Sequence, residues 1–233
     1  NISPDLRADS SRAFAALADG TAAHGDVHTA EAQTAGHGRH GRESSSPPGG
    51  DLYASVVLLP PTPGWDPAGL TMAVGLGVLR GLERLGAEGL RLEWPNDVVV
   101  GQRKICGILP ELPSHPAQGK APAVVVVGVG LNVGMSRDEA SAIDQPATSV
   151  NIETGMSSAA RDLLPGLLTA LAPRLEGRME GGFAALRQDW ESRCAGLGQR
   201  VTVIDGDSRR QGILAGFGDA GQLRLREEGE TVD

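Results

Sequence analysis

A glycine-rich stretch early in the chain carries closely spaced cations that could bind phosphate. Residues 36–42 read GHGRHGR. Glycines let backbone N–H groups approach an anion without obstruction by a Cβ atom, and the guanidinium groups of Arg39 and Arg42 are permanently charged donors suited to phosphate. A flexible, solvated basic loop would have the same composition. Taken alone, the stretch is compatible with either interpretation.

A second cluster of polar residues lies on a predicted β-hairpin. Residues 94–100 read WPNDVVV, and after a tight turn at Gly101-Gln102 the chain continues RKICGIL. Such a hairpin places Lys104 near the strand that carries Asn96 and Asp97. Because Lys104 lies within an apolar run, we expect its ammonium to point into a pocket. A surface lysine on a hairpin edge is the commoner arrangement.

A third pattern combines glycines with a terminal amide. Residues 128–132 read GVGLN and end the most hydrophobic segment of the chain. Glycines within a buried strand often mark the close approach of a ligand or of another backbone. Without other information the pattern favours a packed strand whose small residues let a helix dock.

The elements that must position these residues form a mixed α/β pattern. A short helix is predicted over residues 12–20, capped by Asp9 or Ser10, and a longer one from an N-cap at Asp66 to Gly86. Residues 34–50 are predicted to be a mobile loop. Strands are predicted over residues 26–33, 52–59, 90–93, 98–100, 104–109 and 123–133. The last of these should be central in the sheet because it is apolar throughout.

The end of the chain changes character after a helical region. Residues 159–195 have a helical pattern, which Pro165 and Pro173 should kink or split. After Gly198, short strands alternate with Asp-Gly and Asp-Ala-Gly turns. We therefore predict an α+β domain over residues 1–196, with a mixed sheet packed by helices, and a small β-module over residues 197–233.

The composition excludes several classes of function. The chain has 233 residues, 3% of them aromatic, and a formal net charge of −8, which argues against general nucleic-acid binding. Cys106 and Cys194 form neither a metal-ligand cluster nor a disulfide framework. No apolar run approaches the roughly 18 residues that cross a membrane, and no signal peptide opens the chain. We therefore expect a cytoplasmic protein without a membrane partner.

Together, the three patterns resemble the catalytic domain of biotin–protein ligases. That family has a Ser-Thr-Asn-like helix start, a Gln before a GRGRxGR loop, a WPND hairpin with K(L/I)xGIL, and a GxGxN strand. The corresponding segments here are residues 10–12, Gln33, residues 36–42, residues 94–109 and residues 128–132. The resemblance covers nearly the whole chain, since the C-terminal module is similar to the family's SH3-like domain. It implies the fold shared by biotin and lipoate ligases and class II synthetases.

The resemblance also implies substrates and a mechanism. Biotin would react with ATP, accompanied by Mg²⁺, to give biotinyl-5′-AMP, and a lysine of a biotin carboxyl carrier domain would then take the biotinyl group. Biotin and ATP would contact residues from each motif, namely Ser10, Ser11, Arg12, Gln33, Gly36, His37, Gly38, Arg39, Arg42, Trp94, Asn96, Lys104, Gly107, Leu109, Gly130 and Asn132.

Four residues receive specific roles from the resemblance. Lys104 and Arg39 would hold the biotin carboxylate and the α-phosphate. Asp97 would orient or deprotonate the incoming lysine, and Asn132 would face the triphosphate and its Mg²⁺. No protein ligand to a resident metal is predicted.

The chain departs from the family pattern at three positions. Arg12 stands where Asn is usual, His37 where Arg is common, and Ser44 where an aromatic residue often stacks on adenine. The alternatives are therefore a lipoate–protein ligase, which usually carries an Arg-Arg and triple-glycine segment that is absent here, and a non-catalytic biotin or nucleotide sensor. A repressor role is not expected, because the sequence starts almost at the catalytic domain with no DNA-binding domain before it. A homodimer, and segments missing at either end, are left open.

Overall fold

The protein folds around one large mixed sheet. The computed structural model describes residues 2–5, 10–30, 36–37, 43–44, 50–59, 66–112, 124–206, 208–227 and 230–232. Its helices are α1 (Ser11–Ala18), α2 (Leu70–Arg84), α3 (Arg137–Ser141), α4 (Val150–Thr154), α5 (Ala160–Gly181) and α6 (Arg187–Arg193), with a 3₁₀ turn at Phe183–Ala185.

The strands form three separate sheets. They are β1 (Ile2–Asp5), β2 (Val27–Ala30), β3 (Gly36–His37), β4 (Glu43–Ser44), β5 (Leu52–Leu58), β6 (Leu90–Glu93), β7 (Asp97–Val100), β8 (Arg103–Glu111), β9 (Val125–Leu131), β10 (Arg200–Asp205), β11 (Ser208–Phe217), β12 (Leu223–Glu227) and β13 (Glu230–Val232). The large sheet has the order β1-β2-β5-β9-β8-β7-β6. Its β1–β2 pair is parallel and its other pairs are antiparallel. The predicted fold class is confirmed, and β9 is the central strand.

One face of the large sheet is covered by α2 and α5. Alternate residues of the strands, such as Val56, Val127 and Ile108, point into this buried core. The two helices approach closely because α2 presents glycines to α5. A Cβ atom at Gly77 would lie 2.8 Å from the Cα of Leu171 in α5.

The opposite face of the sheet is covered at one end by α1. Ala13 is fully buried against Val57 of β5 and Val126 of β9, and Phe14 and Leu17 pack beside it. The helix is short but amphipathic, so its apolar side seals this end of the sheet. The remainder of this face carries small and polar residues of β2, β5, β9 and β8.

The C-terminal strands form an antiparallel sheet, in the order β10-β11-β12-β13, that packs on the rest of the protein. Phe217 of β11 is 2% exposed and meets the ring of Trp190 edge-on, with centroids 4.6 Å apart. Phe183 lies on another side of the same ring, with centroids 6.4 Å apart. The predicted small β-module is therefore present, and an aromatic contact joins it to the helical region.

The predicted start of the second helix is wrong by three residues. The helix begins at Leu70, with Gly69 in a left-handed conformation at its N-cap. Asp66 instead accepts a hydrogen bond from the backbone N–H of Ala68 and so stabilises the preceding turn. Buried Arg178 of α5 holds this turn by donating to the carbonyl oxygens of Asp66 and Ala68.

The prediction that the two prolines split the helix is wrong. Helix α5 runs without interruption through Pro165 and Pro173 and ends at Gly181. A proline inside a helix costs about 3 kcal/mol. The long apolar stripe of α5, which includes Leu164, Leu167 and Leu171 buried against α2, offsets this cost.

The predicted loop over residues 34–50 contains at least one ordered feature. Gly36 and His37 pair antiparallel with Glu43 and Ser44. The predicted mobility of this segment concerns residues that lie mostly outside the described parts of the chain. None of the described helices is long and apolar enough to cross a membrane.

Candidate active site

A floor of small and polar residues lies on the sheet face turned away from α2 and α5. Strand register places two rows side by side, which we call the site floor: Ala30, Tyr53, Gly130 and Gly107 in one row, and His28, Ser55, Gly128 and Leu109 in the next. Paired residues point to the same side of a sheet. Helix α1 covers the row beyond Ser55 and Gly128, so the floor begins at this helix and extends toward Gly107.

The glycines of the floor leave space that the described residues do not fill. A Cβ atom at Gly130 would find its nearest described atoms 4.0 Å away, and one at Gly128 would lie 3.4 Å from the carbonyl oxygen of Leu109. Both glycines point away from the helices, so the prediction that they serve helix docking is wrong. A face kept free of side chains suits the close approach of a ligand.

A β-bulge turns Lys104 onto the same face. Between β7 and β8, Val98 pairs with Cys106 but Val99 pairs with Lys104, so Ile105 is an extra residue. Without this shift Lys104 would pair with Val100, which points into the core under α2. Bulges re-aim side chains in this way, and here the result is a lysine beside Asp97.

Lys104 and Asp97 form an ion pair at the end of the floor. The Nζ atom of Lys104 lies 2.8 Å from Oδ1 of Asp97, and their side chains are 39% and 23% exposed. The lysine side chain passes over Gly107, where a Cβ atom would lie 2.8 Å from Nζ. The pair is therefore reachable by a ligand, and the missing side chain at Gly107 makes room for it.

Backbone hydrogen bonds hold Lys104 from a neighbouring segment. Its N–H donates to the carbonyl oxygen of Pro146 at 2.9 Å, and its carbonyl oxygen accepts from the N–H of Thr148 at 2.9 Å. The side-chain amide of Asn132 donates to the carbonyl oxygens of Thr148 at 3.0 Å and Lys104 at 3.4 Å. In this structure Asn132 fixes the strand that carries Lys104. A role toward the triphosphate stays a prediction.

Two other residues of the WPND segment also stabilise the hairpin. The side-chain amide of Asn96 donates to the carbonyl oxygen of Ile108 at 3.1 Å. The indole N–H of Trp94 donates to the carbonyl oxygen of Gly221, in the β11–β12 turn, at 3.1 Å. The C-terminal sheet thus contacts the segment that leads into Asp97.

The start of α1 lies at the opposite end of the floor. The Ser10 hydroxyl donates to the carboxylate of Glu111 rather than capping the helix, so the expected side-chain cap is absent at this position. This contact ties α1 to the end of β8, on the face that carries Gly107 and Leu109. Ser11 begins the helix and Arg12 follows it with an exposed side chain.

Four residues of the predicted site, Gln33, Gly38, Arg39 and Arg42, lie outside the described residues. Gly36 and His37 belong to β3, whose backbone alone is described. The structure thus brings together the candidates from the helix start, the hairpin and β9.

The electrostatics of the site centre on the Lys104–Asp97 pair. Glu93 is the cross-strand partner of Asp97. Burial raises the pKa of the Glu93 carboxyl, the neighbouring Asp97 raises it further, and Lys104 lowers it. Burial raises the pKa of the nearby Cys106 thiol to about 12, so this cysteine is a core residue rather than a nucleophile. Within the described segments, no group of three His, Cys, Asp or Glu side chains could hold a metal ion.

Several residues of the site were not predicted from sequence. His28, Tyr53 and Ser55 line the floor, and Asp51 accepts a hydrogen bond from the N–H of Val133 at 2.8 Å, directly after Asn132. Strict alternation along β2 and β5 is the signal that would have placed the first three on one face. The bulge at Ile105 has no comparable signal.

Comparison with known proteins gives consistent matches. Residues 10–132 match the model of the biotin/lipoate A/B protein ligase family. A biotin–[acetyl-CoA-carboxylase] ligase of Paracoccus denitrificans is 35% identical over 204 residues, which cover 84% of this chain and 82% of that protein. The bifunctional ligase/repressor BirA of Escherichia coli K12 is 33% identical over 205 residues. That alignment covers 88% of this chain, which spans only 63% of the Escherichia coli protein.

A solved structure shares the fold over the whole chain. Biotin protein ligase from Aquifex aeolicus, in complex with biotin and ATP, superposes with a TM-score of 0.82 at 27% identity. The match covers 100% of this chain and 94% of the Aquifex aeolicus chain.

Proposed function

This chain belongs to the biotin/lipoate A/B protein ligase family, and from that membership we propose that it is an ATP-dependent biotin–protein ligase. It would activate biotin as biotinyl-5′-AMP and transfer the biotinyl group to a lysine of a biotin carboxyl carrier domain. The observation that carries the proposal is the Lys104–Asp97 pair, with 2.8 Å between Nζ and Oδ1, at the end of a glycine-lined floor.

The first step joins two anions. A carboxylate oxygen of biotin attacks the α-phosphorus of ATP, the bond to the β-phosphate oxygen breaks, and pyrophosphate leaves. The approach of carboxylate and phosphate needs compensating positive charge, which Lys104 supplies. The backbone hydrogen bonds of Lys104 to residues 146 and 148 fix the position of its Cα atom. Little reorganisation of the lysine is therefore required when the substrates bind.

The second step forms an amide bond. The neutral amine of the acceptor lysine attacks the acyl carbon of biotinyl-5′-AMP, AMP leaves, and the amine nitrogen loses a proton. Asp97 is our candidate for orienting the amine or accepting that proton. Its carboxylate becomes more available once Lys104 turns from it to the phosphate.

The remaining assignments concern ATP. Arg39 and Arg42 would bind the phosphates, and closure of residues 36–42 would keep water from the mixed anhydride. Mg²⁺ would enter with the triphosphate. Asn132 is the residue proposed to face the metal ion, through its side-chain oxygen, while its amide nitrogen keeps its hydrogen bonds to the backbone. Residues 1–196 would hold both substrates, and residues 197–233 would form the SH3-like module.

One assay tests the proposal. The protein is incubated with biotin, Mg-ATP and a biotin carboxyl carrier domain, and the acceptor is analysed by mass spectrometry for the added biotinyl group. A parallel reaction with lipoate and a lipoyl acceptor domain tests the alternative acid substrate. Release of pyrophosphate without acceptor labelling would limit the function to adenylate formation, and binding of biotin without either product would support a sensor.

A further inference from the structure

The strongest feature outside the assigned site residues is His28 on β2. Both of its ring nitrogens are excluded from solvent, and neither has a hydrogen-bond partner among the residues that the structure describes. Buried polar groups in folded proteins are almost always hydrogen-bonded, since an unmet one costs free energy. An imidazole with no partner among the described residues therefore points to a ligand that supplies one.

The position of His28 identifies where that partner binds. Register places the imidazole on the site floor, directly across from buried Ser55 and in the same row as Gly128. His28 lies on β2 and Gly107 on β8, and the two strands β5 and β9 lie between them. Three spacings of about 4.8 Å separate His28 from Leu109, the last residue in its own row, by roughly 14 Å, and Gly107 lies in the neighbouring row of the same strand. His28 and Lys104 thus face opposite ends of one floor.

We propose that His28 binds the cyclic urea of biotin and so contributes to the choice of substrate acid. This inference rests on the proposed function. With the carboxylate of biotin at Lys104, the rest of the molecule must extend over the glycines toward the row of Ser55 and His28. Each ring nitrogen of an imidazole can either donate to the carbonyl oxygen of a urea or accept from one of its N–H groups, depending on the tautomer. A saturated apolar ring would leave both ring nitrogens unpaired.

A histidine that only fills the core would behave differently on substitution. Removing a core residue lowers stability to the same extent with and without substrate. Removing polar atoms that lack a partner in the free protein does not lower its stability, but it weakens binding of the ligand that pairs with them. The two roles therefore separate when stability is measured with and without biotin.

The test compares His28→Leu with wild type. We expect the Tm without ligand to stay equal or rise, the increase in Tm on adding biotin to shrink, and the KM for biotin to rise about ten-fold. The KM for ATP and the kcat should change less than three-fold, a split that a general loss of structure would not produce. His28→Asn keeps one donor and one acceptor and should recover part of the biotin affinity. It also serves as the second test if His28→Leu fails to fold.

His24→Leu is the matched control. His24 is exposed, and its Nδ1 accepts a hydrogen bond from the N–H of Leu59 at 3.1 Å. Its replacement should leave the KM for biotin unchanged. If wild type responds to biotin and His28→Leu responds equally, His28 does not bind the substrate and the inference is wrong. A wild-type protein that does not respond to biotin overturns the proposed function, and the inference with it.

Discussion

The side chain of Lys104 lies over Gly107, and a Cβ atom at position 107 would stand 2.8 Å from Nζ and 2.9 Å from Cε. The absence of a side chain at Gly107 thus determines where the ammonium group of Lys104 can lie. Because the obstructed atoms are at the end of a flexible side chain, an added methyl group would move the ammonium rather than unfold the strand.

Gly107→Ala should therefore lower activity without lowering stability. Displacement of Nζ from the position beside Asp97 should slow adenylate formation about 10-fold to 100-fold, because charge compensation depends on the position of the cation. Pyrophosphate release and thermal unfolding measure the two effects. Gly166→Ala is the control, since its Cβ atom would meet nothing within 4 Å in α5. It should raise stability by about 0.5–1 kcal/mol and leave adenylate formation unchanged.

Lys104→Ala removes the cation altogether. Loss of a charge-assisted contact to the reacting groups should cost roughly 2–4 kcal/mol, or about 30-fold to 1000-fold in adenylate formation. The variant should transfer biotin from supplied biotinyl-5′-AMP better than it makes that intermediate. Lys104→Arg should not restore activity, because a planar fork differs in shape from a point charge.

The neighbouring Arg103 provides the control for Lys104. It forms a partly exposed ion pair with Glu153, with 3.1 Å between the nitrogen and oxygen atoms. Arg103→Gln should cost less than about 1 kcal/mol of stability and leave pyrophosphate release unaffected. Wild-type adenylate formation by Lys104→Ala would instead assign the lysine a structural role.

The sequence predicted the hairpin of Lys104 but not the side of the sheet on which the lysine lies. A tight turn between two apolar runs indicates paired strands, and the pairing of Asp97 with Gly107 agrees with that. The face depends on one extra residue, Ile105, and the sequence pattern does not show that this residue is an insertion in the strand. A shift of one residue turns every side chain beyond it to the other face.

The other deviations have similar causes. Residues 125–131 are apolar or glycine throughout, so their composition does not distinguish the face under the helices from the face of the site. Local propensity placed a break at Pro165 and Pro173, but burial of the surrounding leucines against α2 overrides it. Long-range packing, which no local pattern records, decides both cases.

Gly130→Ala tests whether the floor is kept free for a ligand. The nearest described atoms to the added methyl group would be 4.0 Å away, so the free protein has room for it. Stability should stay equal or rise by up to about 1 kcal/mol, because alanine loses less backbone entropy on folding. The KM for biotin should rise about ten-fold or more, since the methyl group takes space that the ligand would use. A strong loss of Tm would show that packing, rather than binding, requires this glycine.

Asp51 should make the stability of the protein depend on pH. Burial raises the pKa of its carboxyl above the ordinary value of 3.8, and hydrogen bonds from Val133 and Tyr53 offset part of that rise. Above about pH 4 the unfolded chain has released a proton that the folded protein still binds, so the free energy of unfolding falls as pH rises through this window. Asp51→Asn keeps an acceptor for Val133 and should be more stable than wild type at pH 7. The difference should vanish near pH 3 in urea denaturation.

Glu139→Gln is the control, because the pKa shift of Glu139 has the opposite sign to that of Asp51. Hydrogen bonds from the backbone and hydroxyl of Ser136 lower the pKa of Glu139 below its ordinary value of 4.5. This carboxylate stabilises the folded state above that value, and the contribution is lost as pH falls through the lowered pKa. Glu139→Gln should thus be less stable than wild type at pH 7 and equal to it at low pH. The same trend in both variants would contradict the assignment for Asp51.

Phe217 tests whether the C-terminal sheet unfolds with the rest of the protein. Its ring is 2% exposed and lies edge-on to Trp190 and Phe183, which precede the predicted boundary at residue 196. Phe217→Ala removes this contact and should cost about 3–5 kcal/mol. Because the ring belongs to the main hydrophobic core, we expect one cooperative transition at a lower denaturant concentration, seen equally by tryptophan fluorescence and circular dichroism.

Ile204→Ala is the control, at a side chain 61% exposed on β10 of the same sheet. It should change the free energy of unfolding by less than about 0.5 kcal/mol. Two separate transitions, with only one of them moved by Phe217→Ala, would show that residues 197–233 unfold as an independent unit despite the aromatic contact.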